Sequence, residues 1–116
     1  MRHDESHIQE QVVTWLRLQF PYVFFTGGFA GEKMKISAAI RRKRMGYLAG
    51  SPDLLILEPK GIYHGLMVEL KSANGILSDN QKACRTKAEL NGYRYIVCHA
   101  LESAQEQITA YLEEAQ

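Results

Sequence analysis

The sequence predicts an α/β domain in which a mixed β-sheet is flanked by α-helices, in the order αβαββαβα. Stretches with apolar residues at helical spacing alternate with short runs rich in β-branched and aromatic residues. A length of 116 residues fits one hydrophobic core and is too short for two independent ones. We therefore expect a single domain over residues 1–116, built as helices packed around one sheet.

The first half of the chain predicts a helix, a strand and a second, basic helix. A first helix should end before Pro21, because apolar residues before it recur at helical spacing: Ile8, Val12, Trp15 and Leu16. The aromatic run 22–25 predicts a strand that leads into a glycine-containing loop through Gly31. A short basic helix should follow, around 37–47.

Two apolar strands are predicted in the middle of the chain. The continuous apolar run 53–57 between two prolines predicts a central strand covered on both faces. The run 66–71 predicts its neighbour, in which Met67, Glu69 and Lys71 share one face. The polar side chains of this second strand should therefore project together.

The last third predicts a helix, a strand and a closing helix. Ser78 and Gln81 have the spacing of a capping box and should open a helix that runs to about Leu90. The run 93–99 predicts a last interior strand. A closing helix follows from apolar residues that fall on one stripe: Leu101, Ala104, Ile108, Tyr111 and Leu112.

Composition excludes several classes of protein. With 46% hydrophobic and 23% charged residues, the chain should fold rather than remain disordered. No apolar run approaches the roughly 20 residues of a membrane-spanning helix, and we expect a cytosolic protein with no membrane partner. Cys84 and Cys98 match neither a redox pair nor a zinc site, so both should be reduced and buried.

The net charge of +1 conceals a strong segregation of charge along the chain. The stretch 33–44 lacks acidic residues and carries six basic ones: Lys33, Lys35, Arg41, Arg42, Lys43 and Arg44. Such a stretch is usually a solvated face, but this one directly precedes the central strand. We expect it to contact the phosphates of a nucleic acid.

The pattern that indicates chemistry is Pro52-Asp53, followed sixteen residues later by Glu69-Leu70-Lys71. Burying carboxylates beside apolar strands is costly unless a cation compensates, and carboxylate oxygens are the ligands that Mg²⁺ prefers. A bound cation could activate water and stabilise charge on a phosphate, while Lys71 orients the nucleophile or offsets that charge. The plainer alternative is a proline turn at Asp53 and a solvated Glu69–Lys71 ion pair.

These residues resemble the signature of the PD-(D/E)xK nuclease superfamily in order, separation and strand context. More specifically, the segments 50–55 and 68–71, with Ser78 and Gln81 downstream, resemble the VRR-NUC family, including its small stand-alone, phage-type members. The resemblance spans nearly the whole chain. It implies a restriction-endonuclease-like core and a DNA endonuclease that uses Mg²⁺ or Mn²⁺, in the cytoplasm of a bacterial or phage-infected cell.

The resemblance also implies roles for residues that the spacing alone does not single out. It makes the carbonyl of Leu70 a further metal ligand and Gln81 the glutamine of the family's helix, although Gln81 could simply complete the capping box. It places an acidic residue of the first helix at the metal site, which we assign to Glu10; a surface glutamate is the alternative. The four histidines, His3, His7, His64 and His99, match no motif and are interpreted as surface residues.

Three functional alternatives remain open from the sequence. Stand-alone relatives imply a homodimer that cuts branched DNA such as four-way junctions, with the residues 22–29 as a candidate contact or, equally, as core. A general or sequence-specific DNA endonuclease is the second alternative. The third is a nucleic-acid-binding module of the same fold that has lost hydrolysis, which the intact Asp53, Glu69 and Lys71 argue against.

Overall fold

The computed structural model describes residues 2–28 and 35–114, with side chains from residue 5 onward. The predicted order αβαββαβα is confirmed. The helices are α1 (Arg2–Gln19), α2 (Ile36–Arg44), α3 (Asp79–Leu90) and α4 (Leu101–Leu112). The strands are β1 (Phe25–Gly27), β2 (Leu54–Ile56), β3 (Leu66–Leu70) and β4 (Arg94–Cys98).

The four strands form one mixed sheet in the order β1-β2-β3-β4. The first two pairings are antiparallel, whereas β3 and β4 run parallel because α3 crosses over between them. The strand 93–99 was predicted to be interior, and this is wrong for the described residues: β4 lies at the edge of the sheet. Its sequence is as apolar as that of an interior strand because α3 and α4 contact β4 from both faces.

Alternation along the strands divides the core into two layers. One face packs against α1 and α4 and contains the larger buried cluster. Its side chains come from α1, from the strands and from α4, and they include Val12, Leu16, Leu54, Ile56, Leu66, Val68, Leu70, Ile96, Cys98, Ala104 and Ile108. The opposite face packs against α3 through a smaller cluster around Cys84, Ala88 and Tyr95. Cys84 and Cys98 are unpaired and buried, as predicted.

Several element boundaries differ from the expectation. The first strand begins at Phe25 rather than residue 22, because the chain turns immediately after α1 and Val23 donates to the Phe20 carbonyl at 3.1 Å. The second helix ends at Arg44, and Gly46 takes a left-handed φ of 95° just beyond it. Leu57, expected inside a fully covered strand, is 41% exposed at the end of β2. No helix in the described parts of the chain has the length and apolarity to cross a membrane.

Candidate active site

Two carboxylates meet on the sheet face that α3 covers. The antiparallel register pairs Leu54 with Val68, so Asp53, one residue before β2, lies beside Glu69 in β3. Both side chains are buried, Asp53 at 6% and Glu69 at 1% exposure. The Leu70 N–H donates to Asp53 Oδ2 at 2.7 Å and thereby fixes the orientation of that carboxylate.

Burial shapes the protonation of this pair. Loss of solvent raises the pKa of Asp53 above its ordinary value, although the Leu70 N–H opposes the shift. Burial, reinforced by the negative charge of Asp53, raises the pKa of Glu69 to about 8. The pair therefore retains a proton near neutral pH unless a cation replaces it.

The donor set fits a hard divalent cation. Glu69 Oε1 is buried and has no hydrogen-bond partner among the described residues, a costly state for a carboxylate oxygen. A cation held between Asp53 and Glu69 would remove that cost. Within residues 2–28 and 35–114, no group of three or more His, Cys, Asp or Glu side chains is arranged to hold a metal ion. Further ligands would have to come from the main chain or from water.

Lys71 completes the polar group on this face. Its Nζ lies 3.8 Å from Glu69 Oε2, and its side chain is 11% exposed. The Lys71 N–H donates to the carbonyl of Cys98 at 2.9 Å, so the backbone continues the β3–β4 pairing past Leu70. The alternative of a solvated ion pair does not hold, because both partners are buried.

Gln81 forms the predicted capping box and also contacts the carboxylate pair. Its amide oxygen accepts from the Ser78 N–H at 2.8 Å, and its own N–H donates to Ser78 Oγ, so the capping box at the start of α3 is formed. The amide nitrogen donates to Glu69 Oε2 at 2.8 Å. The cap therefore aims the side chain at the carboxylate pair.

The structure does not bring Glu10 to this group. Among the acidic side chains of α1 that the structure describes, Glu5 is the one whose charge acts on the pair. Glu10 is exposed on α1. The charge of Glu5 raises the pKa of both Asp53 and Glu69, and Gln9 Nε2 donates to the Asp53 carbonyl at 3.3 Å.

Glu5 rather than Glu10 faces the site because of its position around the axis of α1. Glu5 and Gln9 extend the buried stripe of Val12 and Leu16 at spacings of four, three and four residues, whereas Glu10 lies about 100° around the helix from Gln9. Continuing that stripe toward the N-terminus would have identified both residues from the sequence.

Two glycines let the loops around Asp53 approach closely. A Cβ on Gly28 would lie 2.0 Å from the Pro52 carbonyl oxygen, and the Gly28 N–H donates to the Asp53 carbonyl at 2.9 Å. Gly50 has φ +79°, and a Cβ there would lie 2.5 Å from the backbone of Asn80. The first turn of α3 thus carries Gln81 and also supports the segment that leads into Asp53.

The basic residues predicted to bind phosphate lie on and before α2. Lys35, Arg41, Lys43 and Arg44 are exposed and Arg42 is half-buried, while Lys33 lies outside the described residues. No residue of α2 is buried. The helix therefore exposes the charges of Arg41, Lys43 and Arg44 to solvent.

Two carboxylates and a lysine on neighbouring strands of a mixed sheet define the PD-(D/E)xK class of nuclease sites. Within that class, the family model of the VRR-NUC domain matches residues 3–102, and the chain belongs to this family. The fold and the family expected from the sequence are thereby confirmed, and the protein is a nuclease of the PD-(D/E)xK type.

Solved structures agree with this assignment. A VRR-NUC domain protein superposes with a TM-score of 0.82 at 28% identity, over 97% of this chain and 90% of that one. A second structure, described as a VRR-NUC domain, has a TM-score of 0.55 at 18% identity, over 90% of this chain and 97% of that one, and supports the fold alone. No curated protein matches the chain.

Proposed function

We propose that the protein is an endonuclease that hydrolyses DNA phosphodiester bonds with Mg²⁺ or Mn²⁺ held by Asp53 and Glu69. The observation that carries this proposal is the buried carboxylate pair, in which Glu69 Oε1 has no partner among the described residues while Lys71 lies alongside. A divalent cation bound there supplies Lewis-acid stabilisation of phosphate charge and lowers the pKa of a coordinated water.

The side chains of the site divide the remaining work. The Leu70 N–H holds one oxygen of Asp53, and Gln81 holds one oxygen of Glu69, so each carboxylate keeps a fixed orientation and its second oxygen would be available to the cation. Lys71 places a positive charge where negative charge develops on the scissile phosphate, or orients the attacking water. The sheet supplies this alignment before any substrate binds.

Two further groups are proposed as ligands or supports. In an extended strand the N–H and C=O of one residue point to the same edge, and the Leu70 N–H points to Asp53. This supports the Leu70 carbonyl as an additional ligand. Glu5 replaces Glu10 as the acidic residue that α1 contributes, since its charge acts on both carboxylates.

We propose that the basic stretch contacts DNA phosphates beside this centre. The exposed charges of Lys35, Arg41, Lys43 and Arg44 support this, because charges that make no contribution to folding remain available to a polyanion. Lys33 and Arg42 belong to the same proposal on the strength of their position in the sequence.

We also propose that the working form is a homodimer selective for branched DNA. A single domain carries one site, whereas opposed cuts in a four-way junction need two sites related by a two-fold axis. Exposed apolar side chains in the segment before β1 and in α2 support such a contact: Tyr22 at 95%, Phe24 at 65%, Ile36 at 80% and Ile40 at 50% exposure. Phe29, also considered for this contact, lies outside the described residues.

Cleavage of single-stranded, duplex, flapped and four-way DNA, each with Mg²⁺, Mn²⁺ or EDTA, tests the activity and the substrate together. We expect metal-dependent cutting with the junction preferred, and a dimer by light scattering at micromolar concentration. A monomer that cuts duplex as readily as junctions would reduce the function to a general endonuclease. Metal-independent binding without cleavage of any substrate would favour the inactive binding module instead.

A further inference from the structure

His99 follows β4 directly and lies beside the lysine of the site. The parallel register pairs Leu70 with Cys98, so the next residues, Lys71 and His99, are neighbours on the α3-covered face. His99 is exposed, as the sequence suggests for a histidine without a motif. Its ring is nevertheless engaged, because Nε2 lies 2.9 Å from the carbonyl oxygen of Gly75. A carbonyl oxygen only accepts, so Nε2–H donates.

The carbonyl that His99 holds belongs to a tight turn that lies on Lys71. The Gly75 N–H donates to the Ser72 carbonyl at 2.9 Å and closes this turn. A Cβ on Gly75 would lie 3.1 Å from Lys71 Cβ and 3.3 Å from Lys71 Cδ. The turn 72–75 is therefore one wall of the slot in which the alkyl chain of Lys71 is buried.

Among the described residues, the hydrogen bond from His99 is the shorter of two hydrogen bonds that hold the turn 72–75 from outside it. On the other side, Glu5 Oε2 accepts from the Ser72 N–H at 3.4 Å, which is long for a hydrogen bond. Ala73 and Asn74, at the tip, are exposed. Movement of the turn away from Lys71 would open the slot and let the flexible side chain adopt other rotamers.

We propose that His99 is a positioning residue: by holding the Gly75 carbonyl, it keeps the turn 72–75 against Lys71 and the Lys71 ammonium near Glu69. The inference rests on the proposed function, because it assigns Lys71 a part in hydrolysis. His99 is thus assigned a role that acts through Lys71. Its effect should appear in the rate of the chemical step, since misplacing a catalytic group affects the transition state more than binding.

Two substitutions at position 99 differ by a single methylene group. One can keep the hydrogen bond to the Gly75 carbonyl and the other cannot. In His99→Gln the amide nitrogen reaches the place of Nε2 and can donate to Gly75, whereas in His99→Asn the amide is too short. We expect His99→Asn to lower kcat by about tenfold with KM and Mg²⁺ affinity unchanged. His99→Gln should stay within about twofold of the native kcat.

Amide hydrogen exchange gives a readout that does not depend on activity. The Gly75 N–H should exchange faster in His99→Asn than in His99→Gln, while core amides of β3 stay protected. His64→Gln is the matched control, because His64 is an exposed histidine at the opposite end of β3 that packs against Tyr93. It should leave both kcat and the exchange of the turn unchanged.

The outcomes distinguish this inference from the function on which it rests. Equal kcat values for native protein, His99→Asn and His99→Gln, with Lys71→Met inactive, would overturn the positioning role and leave the nuclease intact. Equally slow Asn and Gln variants would also overturn it, because the imidazole would then act through something other than its bond to Gly75. A Lys71→Met variant that cuts at the native rate would instead remove the proposed mechanism.

Discussion

The carboxylate site and the basic helix α2 are held by the fold in opposite ways. Asp53, Glu69 and Lys71 are buried and hydrogen-bonded or paired within the sheet layer that α3 covers. In contrast, α2 contributes no buried residue and exposes Ile36 and Ile40 along with its charges. The difference indicates that the proposed catalytic residues are built into the core, whereas the proposed DNA contact is added to its surface. Changes to the carboxylate site should therefore lower both stability and cleavage rate, whereas replacing the exposed charges of α2 should lower DNA binding alone.

The largest effect on stability should come from two glycines that represent the two regions. Gly50→Ala should destabilise by about 3 kcal/mol, because the left-handed backbone costs about 1–2 kcal/mol and the methyl group meets the backbone of Asn80. Gly46→Ala, after α2, has a similar φ of +95° with no atom within 4 Å. It should lose only the conformational part, about 1–2 kcal/mol. Urea unfolding of both variants measures the difference, and equal losses would contradict the packing of Gly50 on α3.

Protonation of the carboxylate pair should make metal-free protein less stable as pH rises. The pKa of Glu69 is about 8 when folded and near 4.5 when unfolded, so the folded state binds more protons between these values. The stability that this group contributes is complete below about pH 4.5 and is lost as pH rises through about 8. Thermal unfolding in EDTA should show this fall in the native protein and a weaker one in Glu69→Gln.

Mg²⁺ should reverse the trend, because binding displaces the proton and becomes stronger as pH rises. The gain in melting temperature from Mg²⁺ should therefore be larger at pH 8 than at pH 6. A gain independent of pH in the native protein would mean that the cation binds elsewhere.

A smaller effect should separate the two roles of Gln81. Ser78→Ala removes the side-chain acceptor of the cap and should cost about 1 kcal/mol of stability, with cleavage close to native. Gln81→Ala removes the reciprocal cap contact and also the bond to Glu69, and it should weaken metal affinity by about 10–100-fold. Metal titrations of the two variants decide the point. If both bound metal alike, the contact with Glu69 would have no function.

The smallest effect on the folded protein should follow substitutions in α2. Replacing Arg41, Lys43 and Arg44 with Gln should change the free energy of unfolding by less than about 0.5 kcal/mol each, since all three are exposed. The slope of log binding constant against log salt should flatten by roughly one unit per lost phosphate contact. Lys87→Gln in α3 is the control. An unchanged slope in the triple variant would show that the helix does not meet DNA.

The sequence contains enough to predict the strands of the site and the neighbouring side chains on them. Alternation fixes Glu69 and Lys71 on one face, and the position of Asp53 at the start of an apolar run makes it adjacent to that face once the two strands pair. The capping box likewise predicts the start of α3 correctly. These features follow from spacing within one or two elements.

The residues that were missed depend on relations between distant elements. Glu10 was assigned to the site and Glu5 was missed because the phase of α1 relative to the sheet is set by packing, although the stripe through Val12 carries a usable signal. The edge position of β4 depends on which strands pair, which its own apolar sequence does not reveal. The contact of His99 arises from a turn 24 residues earlier in the chain. No local pattern marks such a residue.

Asp53 and Glu69 are proposed to hold the cation while Lys71 acts on the reaction. Measuring metal binding and DNA cleavage on the same variants tests this division most directly. Mn²⁺ titration by calorimetry and single-turnover cleavage of DNA should be carried out on the native protein, Asp53→Asn and Lys71→Met. We expect Asp53→Asn to lose both Mn²⁺ binding and DNA cleavage. Lys71→Met should still bind Mn²⁺ while its cleavage rate falls by about 10²–10³-fold. A folded Asp53→Asn protein that binds Mn²⁺ and cuts DNA at the native rate would contradict the account.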